Sequence, residues 1–216
     1  MIFTDSITGR VLWFKFITSE TKLEYLEGLL FLLKRGFTIL SVTIDGKRGI
    51  PAVFSSKTLG QQGIVCEPIP IQLCQFHVQK RISTLLTNHP QTDAGKQLKQ
   101  INDNFIKNRL TEQQLGRTLG LYVRMNYNFL IERNEQGEYK HIRIIRALKT
   151  YHRSFKYLFT YQDYPNINIP NTTNHIDGGI NTKIKELVRQ HRGMSLGRRN
   201  KLIAILLNSL GDQKSN

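Results

Sequence analysis

Apolar residues recur along this chain at two periods, and the places where the period changes divide it into elements. Residues 1–5 and 10–17 alternate on either side of Ser6-Ile7-Thr8-Gly9, with Leu12, Phe14 and Phe16 on one face of the second run and Val11, Trp13 and Ile17 on the other. That pattern predicts a hairpin in which Gly9 supplies a positive φ. At Thr21-Lys22-Leu23-Glu24, a capping-box sequence, the period lengthens to a helix carrying Leu23, Leu26, Leu30 and Leu33 and ending at Gly36. The next eight residues, Phe37-Thr38-Ile39-Leu40-Ser41-Val42-Thr43-Ile44, are all β-branched or apolar except Ser41. They predict a buried strand of the parallel-sheet kind that runs straight into Asp45-Gly46.

Beyond that strand, residues 47–54 read as a short helix with Pro51 in its first turn, residues 59–70 as a loop, and residues 69–73 as a short strand. Cys74-Gln75-Phe76-His77 opens a helix with Val78, Ile82 and Leu85 on one face. Residues 85–160 then read as helix only. Ala94, Leu98, Ile101 and Phe105 mark one helix there, and Leu115, Leu119, Tyr122 and Phe129 a second. Ile142, Ile145, Leu148, His152 and Phe155 mark a third, after the turn Asn134-Glu135-Gln136-Gly137. A loop over 161–170 delivers Asn171-Thr172-Thr173-Asn174, a run of helix-capping residues. The helix it starts has Ile176, Ile180, Ile184 and Val188 at four-residue spacing. A second basic helix is expected over 195–210, with the last six residues frayed. The expectation is an α/β protein of four parts: a core over 1–84, a helical insertion over 85–160, the rest of the core over 161–193, and a basic helix and tail over 194–216.

Charge narrows the function classes. Thirty-one Lys and Arg against 16 Asp and Glu leave a net charge of +15, with a pI near 10.0. So large an excess implies a polyanionic partner, and nucleic acid suits it better than a membrane because no strongly basic amphipathic anchor stands out. No apolar run approaches a membrane span, the N-terminus has no signal-peptide pattern, and two cysteines are too few for a disulfide scaffold. The expected place is the cytoplasm, at the nucleoid.

Two aspartates stand out as candidate chemistry. Asp45 follows the apolar strand, and open α/β sheets place ligands at the carboxyl ends of their strands; Asp-Gly is equally an ordinary turn pair. Asp177 lies in the first turn of its helix, where the macrodipole favours a carboxylate. The Gly178-Gly179 pair behind it costs about 1 kcal/mol per residue relative to Ala, which suggests that something bulky approaches the helix surface there. A strand-end and a helix-start carboxylate in a basic chain are suitable ligands for divalent metal in phosphodiester chemistry.

The runs Thr43-Ile44-Asp45-Gly46-Lys47-Arg48-Gly49, Pro70-Ile71-Gln72-Leu73-Cys74-Gln75-Phe76-His77, Tyr157-Leu158-Phe159-Thr160-Tyr161 and Asn168-Ile169-Pro170-Asn171-Thr172-Thr173-Asn174 resemble bacterial insertion-sequence transposases of the Mutator-like group. The resemblance extends from about residue 9 to 203. It implies an RNase H-like mixed sheet interrupted by a helical insertion, and an acidic triad that holds Mg²⁺ or Mn²⁺ for cutting and joining DNA. Asp45 matches the second acidic residue and Asp177 the third, where the family has Glu, so that the carboxylate is drawn back by about 1.5 Å. Cys74 and His77 match the family's cysteine and histidine. With Cys66 the only other thiol, they are expected to order the strand-to-helix junction.

For the first acidic residue there is no match. Asp5 has one strand between it and the Thr21 helix where the family has two, so Asp5 reads as a turn residue and the sheet as lacking its first strand. The chain is therefore expected to be the carboxyl-terminal catalytic part of a transposase, inactive alone for want of the first acidic residue, and the resemblance implies DNA as partner and a homo-oligomer for the complete enzyme. The DNA-binding residues expected are Lys47, Arg48, Lys80, Arg81, Lys183, Lys185, Arg189, Arg192, Arg198 and Arg199. The alternatives are an inactive basic DNA-binding remnant and an RNase H-like nuclease.

Overall fold

Alternation at the start of the chain becomes an antiparallel hairpin of β1 (Ile2–Thr4) and β2 (Val11–Phe14) in the computed structural model, which describes residues 1–47, 49–64 and 67–211 without the side chains of His175 and Asp177. The protein is mixed α/β, mostly helical, and its described strands form two separate two-stranded sheets. It folds as two units. One holds Met1–Val42, Lys47–Pro70 and the chain from Thr173; the other holds Thr43–Gly46 and Ile71–Thr172.

In the first unit Ile2 lies opposite Phe14 and Phe3 opposite Trp13, so the two pairs face opposite sides. A register shift after Phe3 sets Thr4 against Val11, and this irregularity moves Val11 off the Trp13 face. Val11 instead joins Ile2 and Phe14 in a core with Ile180, Ile184, Ile203, Leu207 and Leu210. That core is supplied by α9 (Asn181–Gln190) and α10 (Leu196–Gly211) together with the π-helical turn His175–Ile180 that precedes α9. Asn174, the last of the expected capping cluster, makes no side-chain capping hydrogen bond to the π turn. The expected apolar spacing holds through this stretch, and the tail beyond residue 211 lies outside the described residues.

The other hairpin face meets α1 (Lys22–Lys34), whose first turn is capped by the Thr21 hydroxyl accepting from the Glu24 N–H at 3.3 Å. The second half of the expected capping box does not form; the Glu24 carboxylate pairs with Lys15 at 2.9 Å. The buried face of α1 is Tyr25, Gly28, Leu29 and Leu32, not the face marked by leucines, and Leu23 is 71% exposed. Trp13 and Phe3, edge to face at 5.3 Å, decide this orientation, because the bare backbone of Gly28 is the socket for the indole. Pro51 opens a 3-10 turn, Ile50–Phe54, as expected. The segment read as loop begins two residues late, since α2 (Ser56–Gly60) buries Leu59 completely.

In the second unit the expected long strand is short. β3 is Val42–Ile44 alone, and Phe37 and Leu40 are 42% and 59% exposed. The N–H groups of Gly36 and Phe37 donate back to Leu33 and Leu32, so the chain leaving α1 is occupied with closing that helix. β4 is Ile71–Leu73. Val42 N–H donates to Pro70 O, and Cys74 N–H donates to Ile44 O at 2.7 Å; the bonds advance in step along both strands, the pattern of parallel pairing.

Helices complete this unit: α3 (Gln75–Leu86), α4 (Asp93–Lys107), α5 (Glu112–Met125), α6 (Tyr127–Ile131), α7 (Ile142–Leu158) and α8 (Thr160–Asp163). The second expected helix is thus broken at Asn126, and α8 occupies the start of the expected loop. On α7 the buried residues are Ile144, Ile145, Ala147, Tyr151, Ser154 and Leu158; of the expected inner face Ile145 is buried, while Ile142 and His152 are exposed. A polar contact sets that rotation. The Tyr151 hydroxyl donates to the Oδ1 of fully buried Asn102 at 2.8 Å, while Asn102 Nδ2 donates to Gln79 O and Ser83 Oγ. Burial, aided by the Asp103 charge, pushes the Tyr151 phenol well above its ordinary value, so it stays a donor.

Gly28→Ala should destabilise the protein by about 1 to 3 kcal/mol in urea unfolding, although Ala is the better helix former. The added Cβ would lie 2.8 Å from the Trp13 ring and 3.0 Å from Phe3. A neutral or stabilising change would show that the indole has room to move.

Candidate nucleic-acid interface

The packing that buries one face of α3 leaves the other free to carry charge. Val78, Ile82 and Leu86 point inward, so His77, Lys80, Arg81 and Thr84 share the outer face at helical spacing. On α7 the inward stripe leaves Arg146, Lys149, Thr150 and Arg153 outside. Arg143 fastens the two helices by donating from Nε to Leu85 O at 2.9 Å and from an Nη to Thr84 O at 3.1 Å, which satisfies carbonyls in the last turn of α3. Between the two outer faces runs a groove of about 790 Å³.

Asp45 lies in this groove. It follows β3, and Gly46, at φ +84°, turns the chain over Leu73 while its carbonyl accepts from Arg81 at 3.4 Å. Asp45 is half-buried and is the one carboxylate lining the groove, against the cations Lys80, Arg81, Arg146, Lys149 and Arg153. Among the described residues none of those five lies within ion-pair distance of a carboxylate. Some lysines elsewhere are paired: Lys15 with Glu24 and Glu27, Lys47 with Glu20, Lys96 with Asp93, Lys99 with Asp103 and Lys140 with Glu132. Convergent cations without partners raise the local potential, and a polyanion relieves it.

Sequence reasoning anticipated Lys80 and Arg81 but missed Arg146, Lys149 and Arg153. Their signal was a basic stripe at three- and four-residue spacing, hidden because the face of α7 had been placed one step around. Lys183, Lys185, Arg189, Arg192, Arg198 and Arg199 are exposed on α9, α10 and the turn between them, in the first unit. Lys47 is tied down, donating to Glu20 O at 2.7 Å. Arg48 and Cys66 lie outside the described residues, as does the Asp177 side chain. No described atom comes within 4 Å of a Cβ built on Gly178 or Gly179, so that surface is open.

Cys74 is fully buried at the start of α3, while His77 lines the groove. Backbone and amide groups hold the junction between β4 and α3: Gln75 N–H donates to Asn171 O at 2.9 Å, and Asn171 Nδ2 donates to Gln75 Oε1 at 3.2 Å. The Thr43 hydroxyl donates to Pro170 O at 2.8 Å. The segment that leads to Asp177 is therefore fixed, at Pro170 and Asn171, against β3 and α3.

Among the described residues no three His, Cys, Asp or Glu side chains gather as a metal site. Asp45 with an imidazole nearby suits a cation that also takes phosphate oxygens, since Mg²⁺ is commonly held by one or two carboxylates plus substrate phosphates. Comparison of the chain with protein-family models, curated proteins and solved structures finds no match. The groove's geometry and charge thus carry the functional argument.

Asp5, the remaining acidic candidate, closes the hairpin turn. Its carboxylate accepts from the Ile7 and Thr8 N–H groups and from the Thr8 hydroxyl. Burial opposes its ionisation, but those hydrogen bonds and the Arg10 charge outweigh burial and hold the carboxyl below its ordinary value of 3.8. A lowered folded value contributes stability above the unfolded value that disappears as pH falls through the folded one. Asp5→Asn should therefore lower the melting temperature at pH 7 and make no difference near pH 2, by paired thermal melts. For Asp45 the expected sign is opposite. With EDTA present, Asp45→Asn should tighten duplex DNA binding by about fivefold, roughly 1 kcal/mol of relieved phosphate repulsion. Weaker binding would show that Asp45 does not face the bound phosphates.

Proposed function

We propose that this chain is a transposase-type DNA-joining protein with an RNase H-like arrangement, working on DNA in the cytoplasm at the nucleoid. Its substrates are insertion-sequence ends and target DNA, and the complete enzyme is a homo-oligomer. One observation carries the reading: Pro170 and Asn171 are hydrogen-bonded to β3 and α3 beside the strand that ends in Asp45, and Asp177 follows Asn171 by six residues. Two stretches far apart in sequence, the strand that ends in Asp45 and the run Pro170–Asn171, are thereby held together within the second unit. The order hairpin, helix, strand, strand, helix and the parallel pairing of β3 with β4 also favour it.

In this reading Asp45 and Asp177 hold Mg²⁺ or Mn²⁺. When bound, the metal supplies activation of the attacking water or 3′-hydroxyl. The chain's own cations hold the phosphates: Lys80 and Arg81 lie on the same groove as Asp45 and are placed to balance charge that builds on a phosphodiester. A second reading, DNA binding without cleavage, is favoured by the single carboxylate among five cations in the groove.

Two measurements test the proposal. Duplex binding should fall with salt at a log-log slope near −5, as expected for about six neutralised phosphates. Mn²⁺ titration of the DNA complex should show uptake that is lost in both Asp45→Asn and Asp177→Asn. Uptake untouched by either change returns that aspartate to a turn or capping role, and salt-independent binding removes DNA as the partner.

A further inference from the structure

We propose that the groove between α3 and α7 grips one phosphodiester backbone of duplex DNA, without reading bases and without accepting a single strand equally well. This inference rests on the DNA-joining reading above and narrows its substrate.

Three features of the groove lead there. The first is spacing. Arg146, Lys149 and Arg153 are separated by three and four residues, a rise of about 4.5 and 6 Å along α7. Phosphates on one strand of a duplex advance about 3.4 Å each along the axis, so a row of cations about 10 Å long spans three of them. Lys80 and Arg81 form the opposite wall.

The second feature is the state of the hydroxyls. Thr84 and Thr150 line the groove, but each already donates to the carbonyl four residues back, Thr84 to Lys80 O at 3.0 Å and Thr150 to Arg146 O at 2.8 Å. Their one donor hydrogen is therefore not offered to a base edge, and charge on lysine and arginine is what remains. Contacts from those side chains to phosphate oxygens position a backbone and carry no sequence information directly.

The third feature concerns stacking. Single-strand sites stack successive bases on aromatic rings, each stack being worth a substantial share of the affinity. Apart from the imidazole of His77 no ring lines this groove, and its apolar residues, Leu85 and Ile142, are aliphatic. An unstacked single strand gains little here. A duplex keeps its bases stacked on one another and presents only phosphates.

The test uses the full chain with a 20-base-pair duplex and with one of its strands alone, followed by fluorescence anisotropy across a salt series. The variant R146Q/K149Q/R153Q changes three exposed side chains, and K107Q/R117Q/R124Q, three exposed cations outside the groove, is the matched control. The groove variant should reduce the magnitude of the duplex salt slope by about 2.7, at about 0.9 per phosphate contact, and leave single-strand affinity within about twofold. R146K/R153K should keep the wild-type slope, and Lys149→Ala alone should lower it by about 0.9, which guards against misfolding of the triple variant. Duplexes of unrelated sequence should bind alike.

An unchanged slope in the groove variant, with wild type still binding in a salt-dependent way, overturns the groove assignment and leaves the DNA reading intact. Equal loss on duplex and single strand overturns the duplex restriction. Failure of wild type to bind any DNA overturns the DNA reading, and the groove assignment with it.

Discussion

The carbonyl of Leu158 is the point on which the second unit turns. It ends α7, where helix carbonyls have no intrahelical donor, and it is buried. Two side-chain amides reach it, Gln72 Nε2 at 2.8 Å and Gln75 Nε2 at 2.9 Å. The other end of the Gln72 amide accepts from Tyr161 N–H, and the Thr160 hydroxyl donates to Ile71 O at 2.6 Å. A buried amide without these partners would cost about 1 to 3 kcal/mol, so β4, the start of α3 and the end of α7 hold one another in a single arrangement. Asn102, bridging Gln79, Ser83 and Tyr151, repeats the device further along the same helices.

Polar stitching of this kind fixes rotation about the helix axis, which apolar packing alone fixes loosely. Rotation in turn decides which residues of α3 and α7 face outward. The groove is therefore a consequence of the buried glutamine and asparagine contacts: turn α7 by one residue and Arg146, Lys149 and Arg153 no longer line it. Its charge is costly in an isolated protein, because the five cations converge on one groove and lack carboxylate partners among the described residues. A bound polyanion would supply the missing counter-charge.

Within the second unit Pro170 and Asn171 are held against β3 and α3. The first unit is organised by different means. There an indole seated on Gly28 and a register shift that redirects Val11 place α1 on one side of the hairpin and α9 with α10 on the other. None of the described helices is long and apolar enough to cross a membrane.

Much of this was legible from residue order. The hairpin, the Thr21 cap, the short strand before Cys74 and the isoleucine stripe of α9 depend on local periodicity and turn chemistry, which act within a few residues. The net charge pointed to a polyanion, and Asp45-Gly46 stood out because a carboxylate followed an apolar run. Tertiary structure alone decided which faces are buried. A glycine in the stripe of α1 and a tyrosine in that of α7 belong to the core because Trp13 packs on the one and Asn102 accepts from the other. The strand before Asp45 shrank to three residues for a similar reason: its pairing extends only as far as β4 offers partners, while Gly36 and Phe37 are drawn back to close α1. The groove's second wall could not be found without that information, because a basic stripe is visible only when the inner face of its helix is known.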